Sequence, residues 1–392
     1  LGIVGATKTP FAVKGGGHAA NPGFSSTSGI LIAMSRFSEV TYDAASQTAV
    51  IGAGLIWDDV YAALAPHNVN VVGGRVTGVG VAGFTLGGGK EERYSWLTNQ
   101  YGLTVDTITA FELVKPDGVV VTVTQTSDPE LFFGLKGGMN NFGGLITYTA
   151  PHIPDVTAAT AKFSASVADP KASIITTYNS ILGLPGISQL LFYDGPTPPA
   201  GIFDDFLAIH SFTKDISTRD FLSLVKSSPA NATYGTRAIF NTVSLIDYTP
   251  SLLQAIVNET VFWGAHLTLK SGAFISYDVE PFLPSLFTHA TTSSAYPPSR
   301  NIGLSPLNIY YAWALELFDN DFHKAARKSA ARIRELAIAE GQNVAGAAVY
   351  PNYAIYDTPV SELYGSNLPA MQALKARVDP GNVMGLAGGF KL

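Results

Sequence analysis

The sequence predicts an α+β protein of two domains, the first of which is built by both ends of the chain. Three observations carry that expectation. At 392 residues the chain exceeds the roughly 250–300 at which a single core stops growing. Its first 150 residues read as short strands and one helix punctuated by glycine. After about Pro151 the texture changes, and the C-terminal tail resembles the first half again. A chain that leaves one domain, builds another and returns fits that pattern. The expected boundaries are 1–150, 151–345 and 346–392.

Composition excludes several classes. Charged residues make up 14 % of the chain, apolar ones 46 %, and the formal net charge is -6. A disordered or polyelectrolyte chain has the opposite balance. Negative charge without a basic cluster argues against nucleic acid as a partner. No uninterrupted apolar run reaches membrane-spanning length, so no membrane partner is expected. With no cysteine, disulfides, zinc–thiolate sites, iron–sulfur clusters and thiol nucleophiles are excluded. The histidines His18, His67, His152, His210, His266, His289 and His323 are scattered without ligand spacing, so no metal is expected. The opening LGIVGATKTPF has neither a start Met nor a leader signature, which predicts an earlier stretch removed by processing or truncation. Two sequons, Asn231-Ala232-Thr233 and Asn258-Glu259-Thr260, offer N-glycan acceptors and leave secretion open.

The elements follow in order. Residues 10–13 lead into the glycine-dense stretch Lys14-Gly15-Gly16-Gly17-His18, and 29–33, 40–42 and 48–52 read as short strands. Residues 56–64 read as a helix, because Trp57, Tyr61 and Leu64 recur at i, i+4, i+7. Residues 73–89 hold eight glycines in seventeen positions. Val76, Val79, Val81, Phe84 and Leu86 lie between them, which predicts a buried tract. Strands 108–114 and 119–123 flank Lys115-Pro116-Asp117-Gly118, a hairpin turn signal. Ser127, Pro129 and Glu130 form a capping box for a helix that stops at Gly137-Gly138. In the second half, 221–225, 252–257 and 283–286 read as short helices. Residues 308–318 form an aromatic strand, with Tyr311 and Trp313 on one face and Tyr310 on the other. Residues 320–340 read as an amphipathic helix whose basic strip is a solvated face.

The glycine tracts call for a physical reason. Consecutive glycines permit close backbone approach and positive φ, and their N–H groups can converge on an anion such as a pyrophosphate. Their spacing is neither the dinucleotide-binding fingerprint nor a P-loop. The same tracts suit tight-turn architecture with His18 as an ordinary polar residue, and the residues alone leave both readings open.

The segment Pro10–His18, the tract 73–89 and Tyr101-Gly102-Leu103-Thr104-Val105-Asp106 together resemble the FAD-binding domain of the vanillyl-alcohol-oxidase (PCMH-type) superfamily. Residues 128–138 with Asn141-Phe142-Gly143 extend the resemblance. The C-terminal Tyr350-Pro351-Asn352-Tyr353, Leu363-Tyr364-Gly365-Ser366-Asn367 and Val378-Asp379-Pro380-Gly381-Asn382-Val383 resemble the berberine-bridge-enzyme-like branch, particularly fungal oligosaccharide and alcohol oxidases. The resemblance implies a two-subdomain PCMH-type FAD-binding domain plus an antiparallel-sheet substrate domain backed by helices. It implies FAD, with Gly15, Gly16, Gly17, Gly78, Gly80, Gly83, Gly87 and Gly88 against the cofactor and His18 bonded covalently to the flavin. Relatives often add a cysteine link. The matching position here is Val76, so attachment is expected through His18 alone. The implied reaction is hydride transfer from an alcohol or anomeric carbon of a sugar-like or small organic substrate, with O2 as acceptor and H2O2 as product. The resemblance implies Tyr353 as the base; at an ordinary pKa of about 10 a tyrosine is a poor base, so neighbouring positive charge or hydrogen bonds must perturb it. Tyr350 and Asn352 support it, while Tyr364 and Asn367 fix the tail. The aromatic strand offers a sugar-stacking platform, with core packing as the alternative. An aromatic or alkaloid-like substrate, or a flavin-free inactive homologue, are the rival functions. The resemblance also implies secretion.

Three departures from that pattern stand out. The chain begins almost at the His18 motif, whereas relatives have an additional N-terminal stretch. Lys90-Glu91-Glu92-Arg93 interrupts the run from glycine into Tyr-Ser-Trp. Asn141-Phe142-Gly143 reaches 144–148 sooner than in relatives, so 144–147 reads either as the family's strand or, preferably, as the second domain's start after a deletion.

Overall fold

The structure, a computed structural model, describes residues 1–86, 95–96, 98–128, 144–195, 197–228, 233–289, 294–297 and 299–392. The chain forms two compact units. The first comprises residues 1–140, 288–300 and 356–392, and the second 141–287 and 301–355. The boundaries expected at 150 and 345 therefore fall elsewhere. Residues 144–149 are a strand of the second unit's sheet. Residues 346–355 stay in that unit, where Ser244 Oγ donates to the Ala348 carbonyl at 2.7 Å. The capping box at Ser127, Pro129 and Glu130, the Lys90–Arg93 run and Asn141-Phe142-Gly143 lie wholly or partly outside the described residues.

The first unit is built from small sheets. Strands β1 (Phe11–Lys14) and β2 (Ile30–Ala33) pair in parallel, while β3 (Val40–Asp43) pairs antiparallel with β4 (Thr48–Ile51). The helix Trp57–Leu64 buries Trp57, Val60, Tyr61 and Leu64, the face read from its periodicity. Strands β5 (Ala110–Val114) and β6 (Val120–Thr124) form the hairpin expected from the Pro-Asp-Gly turn, with Gly118 at φ 88. The chain's return packs on that hairpin, where Leu374 and Val378 meet Val123. Asp379 then accepts the Val383 and Met384 amides at 2.7 and 2.9 Å and the Lys375 ammonium at 2.6 Å. Asn367 donates to the Ser294 and Ala295 carbonyls at 3.3 and 3.0 Å.

The second unit is a seven-stranded antiparallel sheet. Its strands are β7 (Gly144–Thr149), β8 (Ala172–Ile181), β9 (Leu184–Tyr193), β10 (Thr213–Asp215), β11 (Arg237–Leu245), β12 (Gly272–Val279) and β13 (Ser305–Trp313), in the order β10-β7-β9-β8-β12-β13-β11. Helices Ile153–Ser166, Pro250–Thr268 and Asp319–Ala339 back one face. Buried polar pairs fix which face that is. Tyr178 O–H donates to Thr157 at 3.1 Å, and Ser329 meets the Tyr277 hydroxyl at 2.7 Å.

The aromatic strand ends at Trp313, not at residue 318. Trp313 stacks on Phe322 at 4.4 Å and donates its Nε1–H to Asp319 at 2.9 Å, which draws the chain into the next helix. Tyr311 shares its hydroxyl with Tyr277 at 2.5 Å. Both residues thus face the helices and are core, which excludes them as a sugar-stacking platform. Tyr310 lies on the opposite face, beside Phe240 at 4.6 Å and Phe274 at 6.1 Å. Segment 283–286, expected as a helix, instead leads into the 3-10 turn Pro284–His289. The stretch 81–86, read only as buried glycine-rich chain, is a short helix.

Candidate functional site

The two glycine tracts meet backbone to backbone within the first unit. A β-carbon added at Gly16 would lie 2.6 Å from the Gly80 N and Cα, and one added at Gly80 would lie 2.5 Å from the Gly16 N. Only glycine at both positions permits that approach. Gly17 and Gly78 sit at φ 80 and 84, conformations that other residues avoid. The nearest neighbour of a side chain at Gly78 would be His18 Cδ2, at 3.8 Å. His18, Gly15, Gly16 and Gly78 are half-buried and Gly17 is exposed. Gly83 is exposed on the helix Val81–Leu86, and Gly87 and Gly88 lie outside the described residues. Val76 is fully buried.

The helix Trp57–Leu64 holds the second tract in place. Asp58 accepts the Thr77 hydroxyl at 2.6 Å and the Gly78 amide at 2.9 Å. Tyr61 O–H donates to the Gly74 carbonyl at 2.7 Å. Burial, and then the nearby Asp58 carboxylate, hold the Tyr61 phenol well above its ordinary pKa, so it remains a donor. A β-carbon on Gly73 would collide with the Trp57 indole at 2.1 Å. Sequence reading placed Trp57 and Tyr61 on an apolar face but missed Asp58. A carboxylate in a helix's first turn is ordinarily only a dipole partner, so it carried no distinguishing signal.

Tyr350, Asn352 and Tyr353 lie in the second unit, in a turn where the Tyr353 amide donates to the Tyr350 carbonyl at 3.2 Å. All three are buried. Tyr353 stacks on Phe240 at 6.3 Å and meets Tyr350 edge-on at 5.1 Å. Its O–H donates to Glu280 Oε1 at 3.1 Å, and Glu280 is fully buried just past the end of β12. Glu280 was missed by sequence reading. Asp278-Val279-Glu280 repeats a carboxylate at strand period in an apolar stretch, and that was the available signal. Burial, followed by the charge of Glu280, keeps the neighbouring Tyr248 phenol well above its ordinary range. Next to this turn, Asn308 Nδ2 donates to Asp278 Oδ2 at 2.9 Å across β12 and β13.

Gly16 and Gly80 fill the space of each other's missing β-carbon, while at Gly78 an added β-carbon would meet nothing nearer than His18 Cδ2 at 3.8 Å. Half-buried backbone at φ 84 beside an imidazole is the place in the first unit where an anionic group could be met by N–H donors. Among the described residues no cluster of three or more potential metal ligands occurs, and no helix is long and apolar enough to cross a membrane.

Residues 1–124 match the FAD binding domain family, a span that contains both glycine tracts and His18. An uncharacterized FAD-linked oxidoreductase of Arthroderma benhamiae is 35 % identical over 58 % of this chain and 49 % of its own length. This chain thus spans about half the length of that relative. The FAD-dependent monooxygenase drtC of Aspergillus calidoustus is 27 % identical over 98 % of this chain and 77 % of its own. Among solved structures, berberine bridge enzyme from Eschscholzia californica superposes with a TM-score of 0.74 at 15 % identity, over 95 % of this chain and 83 % of that one. A chitooligosaccharide oxidase gives 0.69 at 18 % identity, over 100 % and 89 %.

Proposed function

We propose that this chain, whose residues 1–124 match the FAD binding domain family, is an FAD-dependent oxidoreductase of the PCMH-type, berberine-bridge-like kind and that it oxidises an alcohol or anomeric hydroxyl of a sugar-like or small organic substrate. The buried hydrogen bond from Tyr353 to Glu280 carries this reading. Bound FAD would supply a two-electron acceptor for hydride, with O2 reoxidising it to give H2O2. Gly16, Gly17, Gly78 and Gly80 would hold it by backbone, and His18 would bond to it covalently. Tyr353 and Glu280 handle the proton. The carboxylate takes the phenol proton as the phenol oxygen accepts the substrate's hydroxyl proton, so one proton passes from substrate to Glu280. Burial excludes bulk water from that exchange and keeps the pair aligned. Tyr350, edge-on to Tyr353, fixes its ring.

A second reading, oxidation of an aromatic secondary metabolite, draws support from Phe240, Phe274 and Tyr310 on the sheet face that bears Tyr353. Relatives named monooxygenases make oxygen insertion the outcome to exclude. We also place the protein outside the cell, glycosylated at Asn231 and Asn258. Asn258 is exposed on the helix Pro250–Thr268, and Asn231 lies outside the described residues.

An absorbance spectrum of the purified chain, repeated on the acid-precipitated pellet, tests the cofactor. Yellow colour kept in the pellet and lost in His18→Ala is expected, and a colourless soluble protein would refute the reading. An oxygen electrode with a panel of sugars and aromatic alcohols, run with 18O2, distinguishes peroxide release from oxygen insertion.

A further inference from the structure

A row of polar side chains crosses the second unit's sheet on the face away from the helices. Register sets Thr147 opposite Ser188, Ser188 opposite Thr177, Thr177 opposite Asp278, Asp278 opposite Asn308, and Asn308 opposite Thr242. The neighbouring residues of the same strands, Tyr148, Ile187, Tyr178, Tyr277 and Ile309, turn to the other face and are buried. Burial deepens along the polar row. Thr147 and Ser188 are half-buried, whereas Thr177 is 8 % exposed, Asp278 2 % and Asn308 1 %. Because alternate residues share a face, the row lies on the side that bears Phe240, Tyr310 and Tyr353.

Asn308 fixes what the row can bind. Its Nδ2 donates to Asp278 Oδ2 at 2.9 Å, an orientation the carboxylate imposes, since the amide oxygen in that place would face a second acceptor. Oδ1 then lies to the side of the same carboxylate, buried, and meets no donor among the described residues. A buried amide oxygen left in that state is costly, and beside a carboxylate it is repelled as well. A donor set between the two oxygens relieves both. The charge nearby has one sign. Glu280 follows Asp278 by two residues, about 6–7 Å of extended strand, and the Tyr248 phenol is raised by burial first and then by the charges of Glu280 and Asp278. Of the positions that β8, β9, β11, β12 and β13 turn to this face, none is Lys, Arg or His.

We propose that Asp278 and Asn308 form a substrate subsite for a protonated amine, so that the alcohol this protein oxidises also carries an ammonium group. A neutral hydroxyl has one proton and serves only one of the two oxygens. An ammonium has several, and donates one N–H to Asn308 Oδ1 and another to the Asp278 carboxylate in a charge-assisted bond. Spacing then sets the length of the substrate. With the ammonium at Asp278 and the hydroxyl at Tyr353 and Glu280, the two groups stand about 6–7 Å apart, two residues of strand. Phe240, Phe274 and Tyr310 on the same face suit an aromatic spacer between them. The place of the hydroxyl rests on the proton-relay reading of Tyr353 and Glu280, whereas amine recognition stands without it.

Calorimetric titration and oxygen consumption with a matched pair of probes test it: para-aminomethylbenzyl alcohol, and para-hydroxymethylbenzyl alcohol as its neutral counterpart. The wild type, with the flavin it carries, is expected to bind the amine about 10–100-fold more tightly at neutral pH, the range for hydrogen bonds made by a charged group. Asp278→Asn and, separately, Asn308→Leu are expected to erase most of that preference while the neutral probe binds as before. A folding defect would weaken both probes alike, and the wild-type ratio decides the matter even where a variant fails to fold. A wild type that binds neither probe, or both equally, would overturn the subsite, as would a preference that survives both substitutions. Amine-selective binding without oxygen consumption supports the subsite and refutes the oxidase reading. Oxidation of both alcohols at equal kcat/KM does the reverse.

Discussion

Replacing Gly80 with alanine would put a β-carbon 2.5 Å from the Gly16 nitrogen and 2.8 Å from its Cα, and the reciprocal Gly16→Ala would put one 2.6 Å from Gly80 N and Cα. Both obstacles are backbone, so neither clash can be relieved by a change of rotamer. The tracts must separate by roughly an ångström to reach ordinary contact. Overpacking of this kind costs about 1–3 kcal/mol. For a unit of about 190 residues, that corresponds to a melting temperature lower by about 2–12 °C, at about 2–4 °C per kcal/mol. Flavin occupancy should fall in parallel, because the displaced backbone is the proposed cradle. The assay is thermal unfolding followed by fluorescence, alongside the ratio of flavin to protein absorbance. Gly346→Ala is the control, since nothing lies within 4 Å of the added carbon. The double variant should cost less than the two singles combined, because one separation relieves both clashes. Wild-type stability and flavin content in both single variants would refute the backbone contact as the reason for glycine here.

Glu280→Gln should lower kcat by about 10²–10⁴ with little change in KM, the range for a lost proton-transfer partner. Tyr353→Phe should do the same, and the double variant should be no worse than the more severe single. Steady-state rates across pH check this, and an unimpaired Glu280→Gln would dismiss the relay. Trp313→Ala should cost about 3–5 kcal/mol of stability yet leave kcat per folded molecule unchanged, whereas a selective loss of sugar turnover would return Trp313 to the substrate site. Asp379 gives a pH dependence of definite sign. Burial alone would raise its pKa, but the Lys375 ammonium and the Met384 and Val383 amides outweigh that and hold it below the usual value of about 3.9. Its stabilisation is complete above that unfolded-state value and disappears as pH falls through the lower folded-state value. Melting curves of wild type and Asp379→Asn should therefore differ by a constant amount near neutrality and converge below about pH 4. Convergence at alkaline pH instead would contradict the assignment.

What the sequence determined by itself was local. The helix Trp57–Leu64 and the helix Asp319–Ala339 follow from apolar spacing, because a 3.6-residue period puts their buried residues on one face. The β5–β6 hairpin follows from its Pro-Asp-Gly turn, and the glycine tracts announce close backbone approach without naming a partner. Alternation along β13 separates Tyr311 and Trp313 from Tyr310, yet it does not say which face meets the helices. Tertiary structure decided that through Phe322 and Ser329. It also decided that Gly16 meets Gly80, that Asp58 holds Gly78, and that Glu280 receives the Tyr353 proton donor from 73 residues away. Periodicity and turn chemistry act over a few residues, whereas the partner of a buried polar group or an absent β-carbon depends on strand register and chain return. Those are properties of the whole fold.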